Sequence, residues 1–150
     1  MCTGGELFDA VIGAGEGAFS EKDAAAIMRM ALEALGHCHE HDVVHRDLKP
    51  ENFLLSRPLS KNRKAGDVFP QIKMIDFGLA DHHKFGEHFQ LRAGTPYYMA
   101  PELFEETGRP SFGSDLWALA CVLVETFTGK PPWKPDTGLK DTVTERLYHS

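Results

Sequence analysis

His45-Arg46-Asp47-Leu48-Lys49-Pro50-Glu51-Asn52 is the stretch on which the reading of this chain turns. It sets out an acid, a lysine two residues on and an amide five residues beyond the acid, flanked by the short apolar runs Val43-Val44 and Phe53-Leu54-Leu55. Runs this short beside polar turns suit small β-strands better than helices, so the polar residues lie on a loop between two strands. Ile72 to Ile75 reads as another such strand, and Asp76-Phe77-Gly78 follows it directly. Further on come Gly94-Thr95-Pro96-Tyr97-Tyr98 and Ala100-Pro101-Glu102. An aspartate in a turn is ordinarily a cap or an Asx turn. Two of them, each beside a strand and inside an ordered series of polar motifs, point to chemistry instead.

Outward from this stretch the chain is mostly helical. Ser20 with Asp23 three residues later reads as a capping box. Behind it Ala24, Ile27, Met28, Ala31, Leu32 and Leu35 recur at helical spacing, which predicts one amphipathic helix over Glu21 to Glu40. A shorter helix is expected near Glu6 to Ile12, then a turn at Gly13-Ala14-Gly15-Glu16-Gly17. That turn lacks both the preceding strand and the spacing of a phosphate-binding glycine loop. Leu116 to Phe127 is apolar all round and predicts a central buried helix, ended by Gly129 and Pro131-Pro132. A weaker helix is expected from Leu139 to Tyr148. Ser56 to Pro70 reads as a polar, basic loop, either a surface insertion or a partner site. The expected fold class is mainly α with short β-strands, an α+β arrangement.

Composition narrows the function classes. The 150 residues are 42% hydrophobic and 25% charged, ordinary globular values that argue against disorder and low-complexity tracts. Sixteen Lys and Arg against 22 Asp and Glu give a net charge of −6, which offers no nucleic-acid groove and no anionic-membrane surface. Cys2, Cys38 and Cys121 are scattered and odd in number, as free thiols of a reducing compartment are. No signal peptide is visible at Met1 to Glu6, and the run Leu116 to Val124 is only nine residues, too short to span a bilayer. A cytoplasmic location is expected. His37, Cys38, His39, His41 and His45 crowd together, but no C-x-x-C pair or second cluster completes a tetrahedral zinc set.

Taken in order, the motifs resemble the catalytic loop, metal loop and activation-segment end of eukaryotic protein kinases. The resemblance covers essentially the whole chain. Gly4-Gly5-Glu6-Leu7-Phe8-Asp9 and Ser20-Glu21-Lys22-Asp23-Ala24-Ala25 make it most similar to the calcium/calmodulin-dependent and calcium-dependent Ser/Thr group. It implies the large, C-terminal lobe of the kinase fold, a partial kinase domain over residues 1–150. A small lobe with the glycine-rich loop and phosphate-binding lysine would precede it, and closing helices would follow. No D-x-D-x-D-G calcium loop occurs in these residues.

The resemblance also implies roles. Asp47 would orient a substrate hydroxyl and take its proton, and Lys49 would sit by the transferring phosphate of ATP. Asn52 and Asp76 would supply oxygen ligands to Mg²⁺. Leu54, with Leu7, would floor the adenine, while Glu6 would reach the ribose. Thr95 would bridge Asp47 and Lys49. Glu6, Glu51 and Glu125 stand where basic-directed kinases keep acids for substrate arginines. His45 and Phe77 would pack together, Gly78 completes the metal-loop motif, and Asp115 would hold the catalytic-loop backbone. Glu102 would pair with an arginine beyond Ser150. Arg46 calls for a counter-charge; from Leu79 to Gly94 there is no Ser, Thr or Tyr, so Glu87 is the expected anion, with Asp81 next. The implied activity is Mg-ATP-dependent phosphorylation of Ser or Thr in basic-directed protein substrates. The alternative is a non-catalytic kinase-like docking or decoy module. Without the small lobe, the isolated 150 residues would have little activity and would tend to aggregate through exposed apolar surface.

Overall fold

Ser20 starts the longest element of the fold. In the computed structural model, which describes residues 2–14, 19–60, 67–82, 94–105 and 107–132, α1 spans Leu7–Ala14 and α2 spans Glu21–Glu40. The Ser20 hydroxyl accepts the Asp23 amide at 3.2 Å, and the Asp23 carboxylate accepts the Ser20 amide at 3.2 Å, so two free donors of the first turn are satisfied reciprocally. Ala24, Ile27, Ala31 and Leu35 form the buried stripe of α2. Ile27, Ala31 and Leu35 join Leu48, Phe53, Leu55, Leu119 and Val122 in one core. Each large side chain fully buried there contributes about 1.5–3 kcal/mol.

Among the described residues, four short strands set the loops. They are β1 (Val43–Val44), β2 (Phe53–Leu55), β3 (Ile72–Met74) and β4 (Asp81–His82). β2 and β3 pair antiparallel, Phe53 opposite Met74 and Leu55 opposite Ile72; β1 and β4 pair antiparallel, Val44 opposite Asp81. The other edge of β2 receives the segment before α1, with the Leu55 amide on the Gly5 carbonyl at 2.9 Å and a bridge between Glu6 and Leu54. That bridge takes the Glu6 backbone, so α1 begins one residue later than expected; it also runs through Gly13 and Ala14, where the sequence suggested a turn. Residues 15–17 of that turn lie outside the described residues.

α3 (Phe112–Thr128) departs most from expectation. A second capping box opens it, with Ser111 and Ser114 exchanging side-chain and backbone bonds, and Gly129 closes it at φ 68°. It is not buried all round. Leu116, Trp117, Val124 and Phe127 face outward, 36–48% exposed, while Ser114, Asp115, Glu125 and Thr126 are buried. The inversion has a physical reason: each inward polar group has a partner, such as the Val122 carbonyl for the Thr126 hydroxyl at 2.8 Å. The weaker helix expected over Leu139 to Tyr148 lies outside the described residues. Among the described residues, no helix is long and apolar enough to cross a membrane.

Candidate active site

Two loops converge because the strands that carry them pair. The first runs from β1 to β2 and contains Asp47, Lys49 and Asn52; the second follows β3 and contains Asp76. The Ile75 amide donates to the Asn52 carbonyl at 2.9 Å, and His45 Nε2 lies 3.0 Å from the Ile75 carbonyl. A carbonyl only accepts, so His45 carries its proton on Nε2, leaving Nδ1 to accept the Asp47 amide at 3.4 Å. The His45 ring packs on Phe77, centroids 4.9 Å apart, as the resemblance implied.

Asp47 is the hub. One carboxylate oxygen takes the Thr95 hydroxyl at 2.9 Å and the Thr95 amide at 3.1 Å. The other lies 2.8 Å from Lys49 Nζ. Lys49 also donates to the Thr95 hydroxyl at 3.3 Å, so Thr95 stands between acid and lysine, as expected. The Asn52 amide nitrogen donates to the Asp47 carbonyl at 2.7 Å and reaches its carboxylate at 3.4 Å. Burial alone would push the Asp47 carboxyl up; the hydrogen bonds of Lys49 and Thr95, the Lys49 charge and Asn52 outweigh it and hold the carboxyl below its ordinary value. Burial works against the Lys49 cation too, but Asp47 leads the groups that raise its value. Both groups are therefore charged at neutral pH.

Both loops are strained where they turn. Arg46 adopts φ 73° and Asp76 φ 61°. Such conformations cost on the order of 1–3 kcal/mol each, and Asp tolerates them better than Arg. Asp115, at the buried start of α3, offsets the strain by accepting the His45 and Arg46 amides at 2.9 Å each. Gly94 completes the packing: at φ 134° it passes so close that a Cβ would stand 2.9 Å from the Arg46 carbonyl. Asp76 is exposed and accepts the Gly78 amide at 3.2 Å.

The remaining expected residues are placed as follows. Leu54 is half-buried, but Leu7 is fully buried and presents no surface of the kind expected of it. Glu6 is half-buried beside Leu54. Glu51 is half-buried, with Oε2 enclosed and without a hydrogen-bond partner among the described residues. Glu125 does not face outward: it is 3% exposed and accepts the Tyr98 hydroxyl at 2.5 Å. Burial, with the Glu51 charge, pushes its carboxyl up despite the Tyr98 bond, and burial with Glu125 drives the Tyr98 phenol far above its ordinary range. Arg46 Nη1 lies 3.5 Å from Asp81, brought there by the β1–β4 pairing, while Glu87 lies outside the described residues. Glu102 is exposed in the turn Pro101–Phe104.

Two residues were missed by the sequence reasoning. Tyr98 is one. The other is His39, whose Nε2 lies 2.9 Å from Asp115; it extends the stripe Ile27, Ala31, Leu35 by one turn, which is the signal that marks it as inward.

The donor set fits Mg²⁺. Mg²⁺ takes one or two protein oxygens and keeps waters or phosphate oxygens for the rest. The Asn52 amide oxygen and the Asp76 carboxylate, on tied loops, suit that pattern, and no cluster of three or more acidic, His or Cys groups among the described residues makes a dedicated cage.

The arrangement suits phosphoryl transfer chemically, and comparison with known proteins shows the family. The protein kinase domain family matches residues 1–148. Calcium-dependent protein kinase 8 of Arabidopsis thaliana is 42% identical over 137 residues, covering 91% of this chain and 24% of its own length. Calcium-dependent protein kinase 16 of Oryza sativa subsp. japonica is 41% identical over 137 residues, covering 91% of this chain and 23% of its own. The chain belongs to the protein kinase domain family. It spans about a quarter of the length of the curated relatives it matches.

Proposed function

We propose that the chain is the large-lobe part of a cytoplasmic Ser/Thr protein kinase that transfers the γ-phosphate of ATP to basic-directed protein substrates. The observation that carries the reading is the Asp47–Thr95–Lys49 triangle, an acid and a cation fixed 2.8 Å apart beside the loop of Asp76. Phosphoryl transfer passes through a loose transition state, so positioning and charge balance matter more than covalent chemistry. Asp47 accepts the substrate hydroxyl and receives its proton as the new bond forms; its low basicity suits a late proton transfer. Lys49 carries a compact positive charge to the transferring group, and Thr95 holds acid and lysine in register. Asn52 and Asp76 hold Mg²⁺, which neutralises charge on the phosphate oxygens when bound. Leu54 floors the adenine, and Glu6 reaches the ribose.

Basic direction draws its support from Glu6 and Glu51, two half-buried acids whose charge a substrate guanidinium would pair with. The test is an arginine-scanned peptide array read with the kinase chain that carries these residues. Serine and threonine peptides with an upstream arginine should be phosphorylated and tyrosine peptides should not. Glu6→Ala or Glu51→Ala should lose most of the arginine preference. An unchanged array removes both acids from substrate recognition, and no transfer at all leaves the non-catalytic docking reading.

A further inference from the structure

Arg57-Pro58-Leu59-Ser60 leads out of β2 into the connection to β3. Its base is braced. The Thr3 amide and hydroxyl donate to the Ser56 carbonyl at 3.3 and 3.2 Å, and the Ser56 amide donates to the Gln71 carbonyl at 2.8 Å. Arg57 Nη2 donates to the Val68 carbonyl at 2.9 Å, which uses one of the five N–H groups of the guanidinium. Leu59 packs against the core, while Arg57, Pro58 and Ser60 are exposed. Pro58 fixes its own φ and keeps Arg57 from helical geometry, so the segment stays extended. Residues 58–60 belong to no helix or strand. A hydroxyl that must enter another protein's cleft has to stand on such a segment, since one tied into a helix or sheet would first have to be freed.

We propose that Ser60 is a phosphate-acceptor site, modified by a second copy of this chain that recognises Arg57 ahead of it. The inference rests on the Ser/Thr kinase reading with its arginine preference. Only three serines or threonines follow an arginine within three residues: Ser60, Thr95 and Ser111. Thr95 is half-buried and committed to Asp47 and Lys49, and Ser111 is half-buried and caps α3. Ser60 alone of the three is exposed. Its own Asp47 is not the acid that serves it: β2 leads away from the catalytic loop by three residues, about 10 Å of strand, and Leu59 pins the segment to the core beyond. In the step, Ser60 Oγ of one copy bonds to the γ-phosphorus of ATP held by the other. The bond from that phosphorus to the β–γ bridging oxygen breaks, ADP leaves, and the hydroxyl proton passes to Asp47 of the donor copy. Ser60 and Arg57 line one cleft, so the new phosphate meets the guanidinium that recruited it, while Asp67 on the same cleft turns it toward that side.

The test uses the kinase chain carrying these residues as donor and an isotopically labelled copy with Asp47→Asn as acceptor. Both are incubated with Mg-ATP and a serine peptide that bears an upstream arginine. Mass-spectrometric mapping should place phosphate on Ser60 of the labelled acceptor, and Arg57→Ala in the acceptor should slow that transfer at least about tenfold. Phosphorylation of the peptide with none on Ser60 overturns this inference alone and leaves the kinase reading standing. An Arg57→Ala acceptor modified as fast as its parent overturns it too. A donor that phosphorylates neither peptide nor acceptor refutes the kinase reading and takes this inference with it.

Discussion

Thr95→Val removes one hydroxyl and nearly nothing else, so its cost can be worked from the geometry. The hydroxyl donates to Asp47 at 2.9 Å and accepts from Lys49 at 3.3 Å, while the Thr95 amide still reaches Asp47 at 3.1 Å and Lys49 keeps its direct 2.8 Å contact. Two charge-assisted bonds of several are lost, the 2.9 Å one to Asp47 the stronger. Such bonds contribute about 1.5–3 kcal/mol. The Lys49 side chain is 23% exposed and that of Asp47 9%, so water screens the triangle partly and the lower end applies. If that energy holds Asp47 for reaction, kcat should fall about tenfold with KM for ATP unchanged, as steady-state kinetics would read. Stability carries a matching signature. The Asp47 carboxyl lies below its ordinary value in the fold, with Thr95 one of the causes. A depressed acid contributes fully above its unfolded value and loses that contribution as pH falls through its folded value. The gap in urea stability between wild type and Thr95→Val should therefore be flat from about pH 8 to 5 and narrow only below about pH 4. An unchanged kcat, or a gap that widens on acidification, refutes the reasoning.

Glu125→Gln should be as stable as wild type or up to about 1 kcal/mol more stable at neutral pH, because the raised Glu125 carboxyl is ionised at a cost that acidification relieves. Urea titrations at pH 7 and 5 should show wild type gaining on the variant at the lower pH. Tyr98→Phe, by contrast, strips Glu125 of its donor and should cost about 1–3 kcal/mol in the same assay. Gly94→Ala should lower the thermal midpoint and kcat together, since its Cβ would stand 2.9 Å from the Arg46 carbonyl at a φ that alanine rarely adopts. Phosphatase treatment should leave activity unchanged, because Leu79 to Gly94 offers no hydroxyl residue, whereas Glu87→Lys should lower activity about tenfold.

Much of this arrangement is legible in the sequence. Ser20 and Asp23 announced α2 because a capping box is local, and the period of Ala24, Ile27, Ala31 and Leu35 announced its buried face. The order of Asp47, Asn52, Asp76 and Thr95 announced the site, since the motifs follow the strands that carry them. What escaped was inverted or long-range. Hydrophobic patterning made Leu116 to Phe127 a wholly buried helix, yet Asp115 and Glu125 point inward because the catalytic loop and Tyr98 offer donors there. Patterning weighs residues by their transfer cost and is blind to a partner 70 residues away that cancels it. His39 was passed over for the same reason: its donor role exists only once α2 packs against α3.

The central claim is that Asp47 is the acid that receives the substrate hydroxyl. Asp47→Asn keeps the shape and the Thr95 and Asn52 contacts while removing the negative charge, so it tests that claim most directly. With Mg-ATP and an arginine-directed serine peptide, the kinase chain carrying these residues should lose on the order of 10²–10⁴-fold in kcat on that change, with ATP affinity held within about twofold. Retention of normal kcat by Asp47→Asn would contradict the account.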